Sequence, residues 1–146
     1  MKRLTKYMVV VIVLFSVVVL MTGCCIDDKV TGGGWFMSEV NCEETKCTFG
    51  FVAQGEGCLC DGIVYKGQFQ FNDHAGTKLH CLVVDLDQVG PNTYKFEGVD
   101  KKGAGDIVVT VVDLGQPGPD PGDYITVEYD DDTWEGELGG GNIVIH

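Results

Sequence analysis

The sequence predicts an all-β protein: an antiparallel β-sandwich or flattened barrel of about eight strands, preceded by an N-terminal signal helix. Apolar residues recur at every second position in most segments after residue 30. Gly, Asn and Asp separate those segments, and 21 glycines fit turns and bulges. Helical periodicity and βαβ alternation are both missing after the N-terminal segment, which excludes dinucleotide-binding and phosphate-loop architectures.

The N-terminal segment is typical of an export signal. Three basic residues precede a short apolar run, Met8 to Met21, and Thr22-Gly23-Cys24 follows directly. This end resembles a lipobox, so we expect cleavage before Cys24 and lipidation of its sulfur; the alternative is an uncleaved anchor helix. Both place the protein outside the cell, anchored to the outer face of the membrane. The predicted organisation is a signal peptide over 1–23, a tether over 24–29 and one β-domain over 30–146.

The net charge of −12 narrows the range of partners. Nucleic acid is excluded, because its phosphates require Lys and Arg. An acidic surface suits cation binding and also plain solubility. The partners we expect are the membrane, through the lipid or anchor, and a surface glycan or protein ligand.

Alternation predicts the strands in chain order. The segment from Leu79 to Leu86 is apolar at nearly every position, so we expect a central strand buried on both faces. The other core-facing sets are Cys47, Phe49, Phe51 and Ala53; Ile63, Tyr65, Gly67, Phe69 and Phe71; Tyr94 and Phe96; Ile107, Val109 and Val111; Ile125, Val127 and Tyr129; Trp134 and Leu138; Ile143 and Ile145.

Two glycine triplets stand beside predicted strands, Gly32–Gly34 and Gly139–Gly141. A phosphate loop needs a following Lys-Ser or Lys-Thr and a helix, and neither triplet has them. The triplets therefore predict bulged strands whose backbones pack closely.

Six cysteines remain if Cys24 carries lipid, and in an exported chain they favour disulfides over metal. The candidates are Cys25, Cys42, Cys47, Cys58, Cys60 and Cys81. If the first three strands form a meander, Cys25 approaches Cys58 or Cys60. We expect at least two disulfides, with Cys42 and Cys47 near each other.

Several blocks appear in an order similar to that of the post-COAP domain, which follows "choice-of-anchor" regions in exported bacterial and archaeal proteins. They are "VTGGGWF", "CTFGFVA", "GQFQFNDH", "LHCLVVDLD", "DIVVTVVDLGQPGPDPGDYITV" and "GELGGGNIVIH", spread over Val30 to His146. The resemblance implies an all-β surface module without an established activity. The family's loop usually reads "D-x-G-E-P-G-x-x-D", and here Gln116 replaces its acidic residue.

The loop between Val111 and Tyr124 is the first candidate site. Asp113, Asp120 and Asp123 supply carboxylate oxygens of the kind that calcium prefers. The alternative is a structural loop in which backbone amides of Gly115 and Gly118 satisfy the carboxylates. We prefer the structural alternative, and no other cofactor is expected.

Enzymatic chemistry finds little support. Cys58-Leu59-Cys60 lacks the spacing of a thioredoxin-type pair, and Cys42, Cys47, Cys58 and Cys60 lack a zinc-finger spacing. Outside the signal the only serine is Ser38, so a serine hydrolase is disfavoured. The segment "NDHAG" around His74 predicts a turn that Asp73 stabilises. We therefore expect a protein that is not an enzyme.

Aromatic residues favour binding as the function. Trp35, Tyr65, Tyr94, Tyr124 and Trp134 suit either a core or a platform for sugars, and Tyr124 has the outward parity. The predicted function is a lipid-anchored surface module with a binding or structural role. The alternative is a calcium-dependent carbohydrate-binding domain.

Overall fold

A computed structural model describes residues 25–40, 43–58, 60–102, 105–115 and 122–146. These residues form eight strands and no helix. No helix in those ranges is long and apolar enough to cross a membrane. The strands are β1 (Cys25–Val40), β2 (Glu43–Cys58), β3 (Gly62–Asn72), β4 (Lys78–Gly90), β5 (Thr93–Asp100), β6 (Asp106–Val112), β7 (Tyr124–Tyr129) and β8 (Asp132–Ile145).

Each strand pairs antiparallel with the next in the chain, and β8 pairs back onto β1, so a single sheet closes into a barrel. The predicted all-β class and strand number are confirmed, and the barrel is the architecture adopted. The signal helix, predicted over residues 1–23, lies outside the described residues. We call the end that carries Cys25 and His146 the terminal rim, and the opposite end the far rim.

The barrel interior is filled by side chains. The predicted core-facing positions of β2, β5 and β6 are all buried, as are Phe69 and Phe71 of β3. Aromatic rings contact one another across the interior, with 5.0 Å between the centroids of Phe51 and Phe96 and 5.1 Å between those of Phe71 and Trp134. The interior is therefore a packed core without room for a large ligand.

The barrel closes where β1 meets β8, and we call this junction the closed seam. Gly34 lies opposite Gly141, and a register shift follows at Trp35. A Cβ at Gly34 would overlap the carbonyl oxygen of Gly140, and one at Gly141 would overlap that of Gly33. The two glycine triplets thus form a bulged pair of closely packed backbones, as predicted.

A second junction, between β3 and β4, is only half paired, and we call it the open seam. Its ladder covers Gln68–Asn72 and Lys78–Leu82, and the rest of each strand pairs only with its other neighbour. The ladder stops where both strands bend. Gly67 has a φ of 135°, and the register of β4 shifts between Val83 and Asp85.

The outer face of β4 corrects a prediction. Leu79, Cys81 and Val83 are buried as expected, but Leu82 is 55% and Val84 51% exposed. A sandwich would cover both faces of a central strand, whereas a single barrel has only one interior. The apolar run of β4 therefore leaves part of its surface facing solvent.

The turn from β3 to β4 is held by Asp73, as predicted. One carboxylate oxygen of this buried residue accepts hydrogen bonds from the backbone N–H groups of Ala75, Gly76 and Thr77, at 2.9, 2.9 and 2.8 Å. Burial alone would raise the pKa of Asp73, but these bonds outweigh it and lower the pKa. His74 sits at the turn with a φ of 56°.

The expected tether is partly structured. Residues 25–29 are the first residues of β1 and pair with residues 54–58 of β2. Their sequence, "CIDDK", has no clear alternation of apolar and polar residues. These residues are therefore a strand because they pair with β2, and not because of a local sequence pattern.

Candidate functional site

The predicted acidic loop lies at the terminal rim. Asp123 is buried, and its two carboxylate oxygens accept hydrogen bonds from the N–H groups of Leu114, at 3.0 Å, and Ile143, at 2.6 Å. Asp113 accepts from Gly115 at 2.9 Å and from Ile145 at 3.2 Å. Backbone amides thus satisfy both carboxylates and tie the loop to β8, which supports the structural alternative.

A calcium ion at this loop stays a prediction. Asp120, one of the three residues predicted to hold it, lies outside the described residues, as does Gly118, which was predicted to donate an amide in the structural alternative. The described residues contain no group of three or more His, Cys, Asp or Glu side chains arranged to hold a metal. The contacts of Asp113 and Asp123 concern the two ends of the loop and involve backbone N–H groups.

One disulfide, Cys25–Cys58, joins β1 and β2 at the terminal rim and confirms the predicted approach of these cysteines. Cys47, Cys60 and Cys81 are free thiols among the described residues. Cys42 and the lipidation candidate Cys24 lie outside them.

The free thiols do not fit the disulfide or metal roles considered for them. Cys47 and Cys81 face the core from different strands, and burial raises the pKa of their thiols to about 12 and about 11. Because only a thiolate reacts or binds metal, these two are packing residues. The zinc set fails because Cys58 is oxidised and Cys47 lies at the other end of β2.

The aromatic candidates differ in how deeply they are buried. Tyr94 and Trp134 belong to the core, and Tyr94 donates a hydrogen bond to Asp28 over 3.2 Å. Tyr65 is half-buried at the open seam. Tyr124 faces outward as predicted; burial and then the neighbouring Glu135 raise its pKa.

Trp35, unlike the buried Trp134, lies on the outside of the described barrel, and its indole rests against β8. Added Cβ atoms on Gly139 and Gly140 would overlap this ring, so it rests directly on the β8 backbone. The ammonium of Lys46 lies 4.4 Å from the ring centroid, a cation–π distance. Lys46 is exposed, so a flexible side chain covers the outer face of the indole.

A shallow groove of about 520 Å³ lies on the outer face of β2, β3 and β4, and Thr48 in its lining is the cross-strand neighbour of Trp35. Gly50 forms part of its floor, with no atom within 4 Å of the position of an added Cβ. The polar side chains that line it are those of Thr48, Gln70, Asn72, Lys78 and His80.

The register places the groove within three lateral rows that we call the outer patch. Cross-strand neighbours along each row are Trp35, Thr48, Asn72 and Lys78; Gly33, Gly50, Gln70 and His80; and Thr31, Val52, Gln68 and Leu82. No row contains a carboxylate, although the chain has 22 Asp and Glu residues. The outer patch therefore differs in composition from the rest of this acidic chain.

Two histidines give the outer patch further polar groups. His74 Nε2 lies 3.1 Å from Thr48 Oγ1, and His74 N donates to Asn72 Oδ1 at 3.0 Å. His80 Nε2 is buried and has no hydrogen-bond partner among the described residues.

Comparisons with family models, with curated proteins and with solved structures found no match to this chain. The resemblance to the post-COAP domain therefore stays a prediction.

Sequence reasoning missed the outer patch for a definable reason. The alternation places Lys66, Gln68 and Gln70 opposite the core, but only the register shows that Gln70 lies between Gly50 and His80. The sequence contained one feature that could have predicted this register, the hairpin turn after Asn72. The length of a hairpin turn determines which residues of the two strands pair, here those of β3 and β4.

Proposed function

We propose that this protein is a carbohydrate-binding module whose site is the outer patch, and that it is held at the cell surface through Cys24. The observation that supports this most is the glycine-floored, acid-free groove, whose Thr48 is the cross-strand neighbour of Trp35. We propose no catalytic activity for it.

The chemistry of the patch suits a sugar. A pyranose has an apolar C–H face, which packs against an aromatic ring, and a rim of hydroxyls, which pair with amides and imidazoles. Trp35 supplies the ring once the exposed Lys46 side chain swings aside. Gln70, Asn72 and His80 line the groove in which the hydroxyls of the next residues would lie.

The charge of the patch also favours glycans that other faces of the barrel would repel. Lys78 and Lys46 are exposed within or beside it, and the rows hold no acid. A polysaccharide with uronic acids therefore meets no like charge here. Glu128, Glu135 and Glu137 lie on the outside of β7 and β8, which makes that face unsuitable for the same ligand.

The test is a glycan-array screen of the chain in a mild detergent, followed by calorimetric titration with the glycans that bind. Gly50→Val fills the groove floor where the structure has space. Gln70→Ala removes an exposed amide. Each variant is expected to weaken binding at least tenfold, while Glu128→Ala on the opposite face leaves the affinity unchanged.

Titrations in EDTA and in millimolar calcium separate the two versions of the function. Equal affinities support a calcium-independent site at the outer patch. Affinity that requires calcium and is lost in Asp113→Asn, but not in Gly50→Val, would place the site at the acidic loop. Absence of binding to any glycan in both conditions would overturn the proposal.

A further inference from the structure

The open seam exposes two strand edges that face each other across a gap. From Ile63 to Gly67, β3 pairs only with β2, and from Val83 onward β4 pairs only with β5. Alternate backbone N–H and C=O groups of each segment therefore point toward the gap without a strand partner. Exposed edges of this kind are templates for another strand.

Local sequence fixes the gap, so it is a built feature of the barrel. Gly67 adopts a φ of 135°, which side chains disfavour, and a Cβ there would overlap the carbonyl oxygen of Val52. On the other strand the bulge between Val83 and Asp85 re-aims β4 at the same level. Both strands thus bend apart directly after the pair Gln68–Leu82.

The outer surface beside the gap carries apolar side chains and one lysine, Lys66, whose ammonium is paired with Glu56 of β2, while Asp85 and Asp87 lie at the β4 edge. Val64 of β3 is 54% exposed and Val84 of β4 is 51% exposed. Burial and then the nearby carboxylates of Asp85 and Asp87 raise the pKa of Tyr65. Asp87 lies opposite Lys95 of β5, whose ammonium is paired with Glu97, and neither Asp85 nor Asp87 forms an ion pair with a described residue.

We propose that the open seam accepts an extended, basic segment of a partner protein as an added strand between β3 and β4. Its backbone pairs with the two free edges. Its outward side chains contact Val64 and Val84, and a Lys or Arg lies beside Asp85 and Asp87.

Charge decides against a second copy of this chain as the occupant. Two chains of net charge −12 repel each other. A basic strand neutralises the carboxylates of Asp85 and Asp87, and its apolar residues cover valines that are now exposed to solvent.

The experiment uses the full chain in detergent and three seven-residue peptides. The first alternates valine and lysine, the second alternates valine and glutamate, and the third is the first with every second backbone nitrogen methylated. We expect the valine–lysine peptide to bind at least tenfold more tightly than the other two. Its binding should slow amide hydrogen exchange in Ile63–Gly67 and Val84–Gly90.

A matched pair of variants locates the binding. Val64→Lys places a positive charge at the gap and is expected to reduce affinity for the basic peptide at least tenfold. Met37→Lys changes an exposed apolar residue of β1 at the far rim, away from the gap, and is expected to change this affinity less than twofold. Equal binding of the methylated peptide, or exchange protection outside the open seam, would overturn the proposal.

Discussion

The closed seam and the open seam both depend on glycine, and glycine acts differently in each. At the closed seam Gly34 and Gly141 let two backbones approach more closely than any side chain allows. At the open seam Gly67 bends one strand away from its neighbour. The same residue type therefore tightens the barrel wall on one side and opens it on the other, according to whether its missing Cβ or its backbone conformation is used.

Gly34→Val should have the largest effect, because the added side chain collides with the β8 backbone and the closed seam cannot form. We expect a loss of at least about 3 kcal/mol in the free energy of unfolding, measured by urea denaturation. Gly50→Ala is the control, since its Cβ meets open space and its stability should match or exceed the wild type. Equal losses in both variants would show that glycine at Gly34 has no special role.

Asp123→Asn should destabilise the same seam from the terminal rim. The buried carboxylate accepts one N–H group on each oxygen, and an amide would turn its NH₂ group toward one of those donors. The expected cost is about 2–3 kcal/mol, by the same denaturation assay. Asp113→Asn, at a more exposed position, should cost about 1 kcal/mol; a larger loss there than at Asp123 would contradict this ranking.

Asp73→Asn should weaken the paired half of the open seam in a pH-dependent way. The pKa of Asp73 is lowered in the folded protein from an ordinary value of 3.8, so its stabilisation is complete above that pH. It is lost as the pH falls through the folded-state pKa. Thermal melts from pH 2 to pH 7 should show the variant about 1–2 kcal/mol less stable above pH 5 and nearly equal at the acid limit. A constant difference across this range would exclude Asp73 as the titrating group.

Tyr65→Phe should have the smallest effect, because it removes a single hydroxyl that lies near Asp85 at a gap with no backbone ladder. We expect a loss of about 0.5–1 kcal/mol and faster amide exchange confined to residues 62–67. Tyr124→Phe, on the fully paired β7, is the control and should leave that exchange unchanged. Faster exchange throughout the barrel would mean that Tyr65 supports the whole fold.

The sequence reveals strands and their inward faces because period-two alternation is a local signal. Phe49, Phe51, Val109 and Val111 are all buried as their parity predicts. Leu82 and Val84 show the limit, since apolar residues on both faces of a strand do not reveal whether a second layer covers them. That depends on whether the sheet closes, which is set by the distant pairing of β1 with β8.

The candidate sites also divide into those that depend on local sequence and those that depend on distant strand pairing. Asp73 and Asp113 act largely on neighbouring residues, and their structural roles were predictable from turn chemistry. The outer patch combines Trp35, Gly50, Gln70 and His80 from four strands, so it exists only once the register is known. The open seam depends on a ladder that stops early, which no single strand's sequence shows.

The order of the strands has a consequence for how the chain folds. Seven of the eight ladders join consecutive strands, which can form as hairpins with little loss of loop entropy. Of these ladders, only the one between β1 and β8, which runs from Val30–Ile145 to Phe36–Leu138, connects residues far apart in the chain. Non-local contacts form slowly, so closure should be the last and slowest event, and an open meander should precede it. In that meander the glycine-rich edges of β1 and β8 are both unpaired, and the time spent there sets the exposure to aggregation.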